Sequence, residues 1–128
     1  MARAVFDASA VIALLGDEPG AAVVASYGVR ALISAVNLQE VVKILLRRGT
    51  DLDAIRKMIA ALRLDVRDHR AADAFAAAQL YAATAVHGRG LADRTCMALA
   101  ISEGLPALTT DKAWAKLAIP GLKVILAR

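Results

Sequence analysis

The chain has 128 residues and a mass of 13.4 kDa, the size of a single domain. Apolar residues make up 59%, which excludes a disordered chain; one cysteine, Cys96, excludes a disulfide scaffold; and no apolar run reaches the ~18 residues of a membrane-spanning helix. Sixteen Lys and Arg against 12 Asp and Glu give a net charge of +4, which permits a polyanionic partner without requiring one.

The opening MARAVFDASAVIALLGDEPG carries an acid inside its apolar stretch and no convincing cleavage site, so the expectation is a cytoplasmic protein, 1–128 as one domain, with no membrane association. In chain order, Ala4–Phe6 reads as a short strand ending at Asp7, and Ser9–Leu15 as a helix stopped by Gly16. Glu18–Tyr27 reads as a second helix with Pro19 in its first turn. Ala31–Ile33 is the next strand, and Ser34 caps a helix over Ala35–Arg48 that ends at Gly49. Asp51–Arg63 is helical with Asp51 as its cap, and Leu64–Val66 is a strand. Arg70–His87 reads as one long helix ended by Gly88 and Gly90. Its alanine-rich stretch Ala71–Ala85 allows close helix approach, within the chain or at a dimer face. Ala92–Glu103 is a helix stopped by Gly104, Leu105–Thr109 a strand, Lys112–Leu117 a short helix, and Lys123–Leu126 a final strand after the Pro120–Gly121 turn. Alternation of this kind specifies an α/β fold, a mainly parallel sheet flanked by helices in three layers.

Ligands of parallel α/β sheets bind at the carboxyl ends of the strands. Asp7 and Asp111 follow strands, Glu40 lies in the second turn of the helix after the second strand, and Asp93 opens a helix after a glycine-containing loop. Each is embedded in apolar sequence: AVFDASAVIALL, SAVNLQEVV, GLADRTCMALA and ALTTDKAW. Taken singly, Asp7, Asp93 and Asp111 read equally well as helix caps, and Glu40 beside Lys43 as a surface residue. Taken together at one sheet edge, four carboxylates repel one another unless a divalent cation or protons neutralise them. Mg²⁺, which prefers oxygen ligands, suits such a set.

These four segments, in this order, resemble the motifs of PIN domains, and more closely those of the VapC-type ribonuclease toxins of bacterial toxin–antitoxin pairs, over about Val5 to Leu126. Ala92 departs from the glycine many relatives carry before the third acid. The resemblance implies a PIN-like fold and Mg²⁺- or Mn²⁺-dependent endoribonuclease activity. Asp7, Glu40, Asp93 and Asp111 would be the catalytic metal ligands, and Ser9, Asn37 and Thr109 would orient them. Arg89, Arg94, Lys112, Lys116 and Lys43 are candidate contacts to RNA phosphates. The resemblance further implies a homodimer neutralised by a VapB-type antitoxin, whose basic side chain would enter the acidic site. His69, His87, Cys96 and Trp114 read as structural. Three rivals are weighed: an RNA-binding or RNA-processing PIN-like protein that is no toxin, a receiver-like signalling domain, and a dinucleotide-binding module. The receiver pattern lacks its second early acid, and DASAVIALLG supplies no glycine-rich first turn.

Overall fold

Three apolar segments, buried on both faces, form the centre of the sheet. The computed structural model describes residues 3–28, 30–85 and 90–128. Its strands are β1 (Val5–Phe6), β2 (Leu32–Ser34), β3 (Asp65–Arg67), β4 (Ala107–Thr109) and β5 (Val124–Leu126), and β1, β2 and β4 are fully buried. Every pairing is parallel, in the order β3-β2-β1-β4-β5. The chain therefore runs outward from β1 to β3, then returns to the other side of β1, and the order reverses between β1 and β4. A crevice opens at the carboxyl ends of strands at such a reversal.

The helices are α1 (Ala8–Leu15), α2 (Ala21–Ser26), α3 (Ala35–Arg47), α4 (Leu52–Leu62), α5 (Ala71–Ala78), α6 (Tyr81–Ala85) and α7 (Leu91–Glu103), with a 3₁₀ helix at Lys112–Lys116. The strand pleat divides the core in two. Phe6, Ile33 and Leu108 face α1–α4 and pack with Val11, Val41, Leu45 and Ile55. Val5, Leu32 and Ala107 face the other way, onto Cys96, Met97 and Ala100 of α7 and onto Trp114. The α/β/α layering of the sequence reading is thus present. Among the described residues no helix is long and apolar enough to cross a membrane.

Two elements differ from expectation. The helix read over Glu18–Tyr27 begins only at Ala21. Pro19 lies in a loop, and Gly20 takes a left-handed conformation at φ 99°. A side chain at Gly20 would stand 2.9 Å from the Ala127 carbonyl oxygen, so glycine here lets the loop close on the end of the chain. The long helix read over Arg70–His87 is broken at Gln79–Leu80 into α5 and α6. Thr84, buried in α6, turns its hydroxyl back onto the Leu80 and Tyr81 carbonyls rather than to solvent. His87, Gly88 and Arg89 lie outside the described residues.

Smaller shifts have local causes. The third strand sits one residue later than expected, because Asp65 and Arg67 share one face and pair with each other at 3.1 Å. There Arg67 also reaches Glu103 and Asp65 reaches Arg3. The fourth strand starts at Ala107, after Pro106. The last short helix has 3₁₀ geometry and ends at Lys116.

Candidate active site

Asp7 ends β1 and caps α1. Its Oδ1 accepts the Ala10 backbone N–H at 2.9 Å and the Ser9 hydroxyl at 2.7 Å. Its Oδ2 accepts the Thr109 hydroxyl from the end of β4. The two hydroxyls also knit the adjacent loop in place: Ser9 Oγ accepts the Thr110 N–H at 3.0 Å, and Thr109 Oγ1 accepts the Asp111 N–H at 3.0 Å. Asp111 in turn caps the 3₁₀ helix through the Ala113 N–H at 3.0 Å. Ser9 and Thr109 thus fix the carboxylate of Asp7 and the backbone that carries Asp111.

Glu40 projects from α3 and Asp93 from the first turn of α7. The helix α7 begins at Leu91, one residue earlier than the sequence reading, and Asp93 caps it from within the first turn by accepting the Gly90 N–H at 3.3 Å. Asn37, fully buried one turn before Glu40, donates from Nδ2 to the Ala92 carbonyl at 2.9 Å. That bond ties the helix of Glu40 to the turn of Asp93. Replacing Asn37 by Ala is expected to cost about 1–2 kcal/mol in urea denaturation, since it leaves the Ala92 carbonyl unpaired. An unchanged unfolding midpoint would show that the strut bears no load.

Asp7, Glu40, Asp93 and Asp111 line one cleft, together with Ser9 and Thr110. The proximity of Asp7, Glu40 and Asp93 shows in their electrostatics. Burial, with a smaller push from Asp93, raises the Asp7 carboxyl from 3.8 to about 6 against its hydrogen bonds. Glu40 is raised by burial and by Asp93, with Lys43 and the Asn37 amide opposing. Beneath them the Cys96 thiol is pushed well up by burial and then by Asp7, Asp93 and Glu40. Cys96 is therefore a buried, inert thiol. Among the described residues no three His, Cys, Asp or Glu side chains stand at closed ligand spacing. The acids instead face a shared cleft, and the donors they offer are all carboxylate oxygens. Crowded, desolvated oxygen donors fit a hard divalent cation.

The other predicted residues are placed differently. Lys112 and Lys116 are exposed on the 3₁₀ helix. The guanidinium of Arg94 lies 6.0 Å from the centre of the Tyr81 ring, and Lys43 lines an apolar groove on the outer face of α3. None of these four lines the cleft. Arg89 lies outside the described residues. His69 stands beside Asp68 and Asp73 at a separate small cavity. Two charged cleft residues escaped the sequence reading, Glu18 from the loop before α2 and Arg128. Arg48, just beyond the end of α3, also lines the cleft.

The sequence matches the PIN domain family over residues 4–120. The chain belongs to that family. Among solved structures, this PIN domain resembles a chain of a toxin–antitoxin complex from Klebsiella pneumoniae with a TM-score of 0.73, at 20% identity over 98% of each chain. It resembles a chain of DNA-bound VapBC from Salmonella typhimurium with a TM-score of 0.69, at 22% identity over 100% of each. A member of the VapBC family from Mycobacterium tuberculosis gives a TM-score of 0.62, at 24% identity over 98% of this chain and 99% of that one. At such identities the likeness is one of fold. No curated protein matches the PIN domain significantly in sequence.

Proposed function

We propose that this PIN domain, acting as one unit over 1–128, is a metal-dependent endoribonuclease toxin of the VapC type. The observation that carries this is the convergence of Asp7, Glu40, Asp93 and Asp111 on one cleft at the point where the strand order reverses. These four would hold Mg²⁺ or Mn²⁺. The chemistry such an ion supplies when bound is polarisation of a phosphoryl oxygen and a lowered pKa for water. Ser9 and Thr109 hold Asp7 in one orientation, so no reorganisation is needed when charge develops at the phosphate. Asn37 keeps Glu40 and Asp93 in register through the Ala92 carbonyl. Lys112, Lys116, Arg94 and Lys43 would meet the RNA beyond the cleft.

The partners follow from surface chemistry and from the neighbouring structures. Ala35, Leu38, Val42 and Leu46 of α3 line a partly open apolar groove, in which Leu38 and Val42 also pack against the core and Leu46 is 47% exposed. A VapB-type antitoxin segment with an apolar face would cover it, as structures of VapBC complexes share this fold. Exposed Phe75, Tyr81 and Leu91 support a homodimer. The setting would be the cytoplasm, where RNA substrates are found.

The test is incubation of the purified protein with bacterial RNA in Mg²⁺ or Mn²⁺, followed by mapping of the new 5′ ends. Discrete cuts are expected, absent with EDTA and slowed about 10³-fold by Asp93→Asn, several kcal/mol of lost charge stabilisation. Equal cutting by Asp93→Asn, or none by the wild type, would overturn the proposal.

A further inference from the structure

We infer that Arg48 and Arg128 form a two-arginine clamp at the rim of the acidic cleft that grips RNA phosphates flanking the scissile one. The assignment rests on the nuclease function proposed above and names how its site holds substrate. The two residues stand 80 positions apart in sequence, one just beyond α3 and the other after β5, yet both line the cleft of the four acids. Each is held from the same loop. Arg48 Nη1 pairs with Glu18 Oε2 at 3.3 Å, and Arg128 Nη1 donates to the Pro19 carbonyl at 3.1 Å.

That loop is itself fixed. Glu18 N–H donates to the Ala13 carbonyl at 2.9 Å, Asp17 is held left-handed at φ 48°, and Gly20 lies against the Ala127 carbonyl. A non-glycine residue in that region costs of order 1–3 kcal/mol and persists only where its surroundings over-determine it. The loop therefore presents both guanidinium groups from a set position.

The chemistry calls for such groups. Five carboxylates line the cleft, counting Glu18, and they repel a phosphodiester backbone. A guanidinium offers five N–H donors in a planar fork that matches phosphate. One nitrogen of Arg48 is used on Glu18 and one of Arg128 on Pro19, so each fork keeps donors for a ligand. Their anchors, Glu18 and the Pro19 carbonyl, lie in the loop rather than in the four-acid set. Both arginines are solvent-accessible at the rim, where a long polyanion passes.

The experiment measures binding of a fluorescently labelled single-stranded RNA by anisotropy, in an Asp93→Asn parent, across a series of salt concentrations. Arg48→Gln and Arg128→Gln should each weaken binding about 3–10-fold. Each should also flatten the log–log salt dependence by about 0.7, the contribution of one phosphate contact to a single strand. Arg48→Lys and Arg128→Lys should restore the slope, because the charge remains. Arg56→Gln, on the exposed face of α4, should bind as the parent does. In the wild-type background, the Gln variants should raise KM and leave kcat within about twofold. Parental affinity and slope in the double Gln variant would overturn the clamp while leaving the nuclease standing. A parent that binds no RNA, alongside a wild type that cuts none, would overturn both.

Discussion

Replacing Asp7 by Asn should make the metal-free protein more stable at pH 7.5 and abolish the metal response and the RNA cleavage proposed above. The folded protein raises this carboxyl from 3.8 to about 6, chiefly by burying it. Stability from a group shifted upward is fully present below the unfolded pKa and is lost as pH rises through the folded one. Between about pH 4 and pH 6 the protein therefore loses about 3 kcal/mol through Asp7, and above that it carries an ionised, desolvated carboxylate. Asn removes the charge and keeps an oxygen for the Ala10 N–H and the Ser9 hydroxyl, though the Thr109 hydroxyl must turn away. A net gain of about 1–2 kcal/mol, or about 4–8 °C in Tm, is expected at pH 7.5. At pH 5, where Asp7 is mostly protonated, the two proteins should differ little. Mn²⁺ at a hundred times its Kd should stabilise the wild type by about 2.7 kcal/mol and leave the variant where it was. Thermal melts at both pH values, with and without metal, are the check. A variant less stable than wild type at pH 7.5, or a difference that does not change with pH, would overturn this account.

Trp114→Ala should remove a large share of the folding free energy. Trp114 is fully buried against Val5, Leu32, Cys96 and Met97. Truncation of a buried Trp costs about 3–5 kcal/mol, in a domain whose total is typically about 5–15 kcal/mol. Trp114→Phe should cost far less, because the indole Nε1 has no hydrogen-bond partner among the described residues to lose. Urea unfolding of the two variants separates the readings: a Trp114→Ala midpoint within about 1 kcal/mol of wild type would contradict the burial. RNA cleavage in the assay proposed above should fall as well, since the buried indole anchors the 3₁₀ helix that Asp111 caps.

Legibility in the sequence followed the range of the interactions. Ser34, Asp51 and Asp7 could be read as caps because a cap involves only the next three residues, and each accepts the N–H that its position implies. The acidic cleft could be read because strand ends of a parallel sheet share one edge, so four acids at four such places meet. The break at Gln79–Leu80 could not be read, because Ala-rich sequence on either side favours an uninterrupted helix and packing of α5 on α7 overrides it. Glu18 and Arg128 were missed for a similar reason. Nothing local marks Pro19 as a carbonyl that meets the end of the chain, and the clue in hindsight is Gly20, whose lack of a side chain admits Ala127. Lys43 and Arg94 were read as candidate phosphate contacts because they neighbour acids in sequence; Lys43 lies near enough to Glu40 to oppose its upward shift, yet it lines the α3 groove, and Arg94 lies over the Tyr81 ring.

The bond from Thr109 to Asp7 joins residues 102 positions apart, one made early and the other late in synthesis. A nascent chain has Asp7 and Glu40 well before it has β4, which ends at Thr109 just ahead of Asp111. Until that strand pairs with β1, the Asp7 carboxylate lacks one of its two hydroxyl donors and the fourth acid has no place. A copy that stops before β4 is thus an incomplete site: it has Asp7, Glu40 and Asp93, but neither the Thr109 hydroxyl that holds Asp7 nor Asp111.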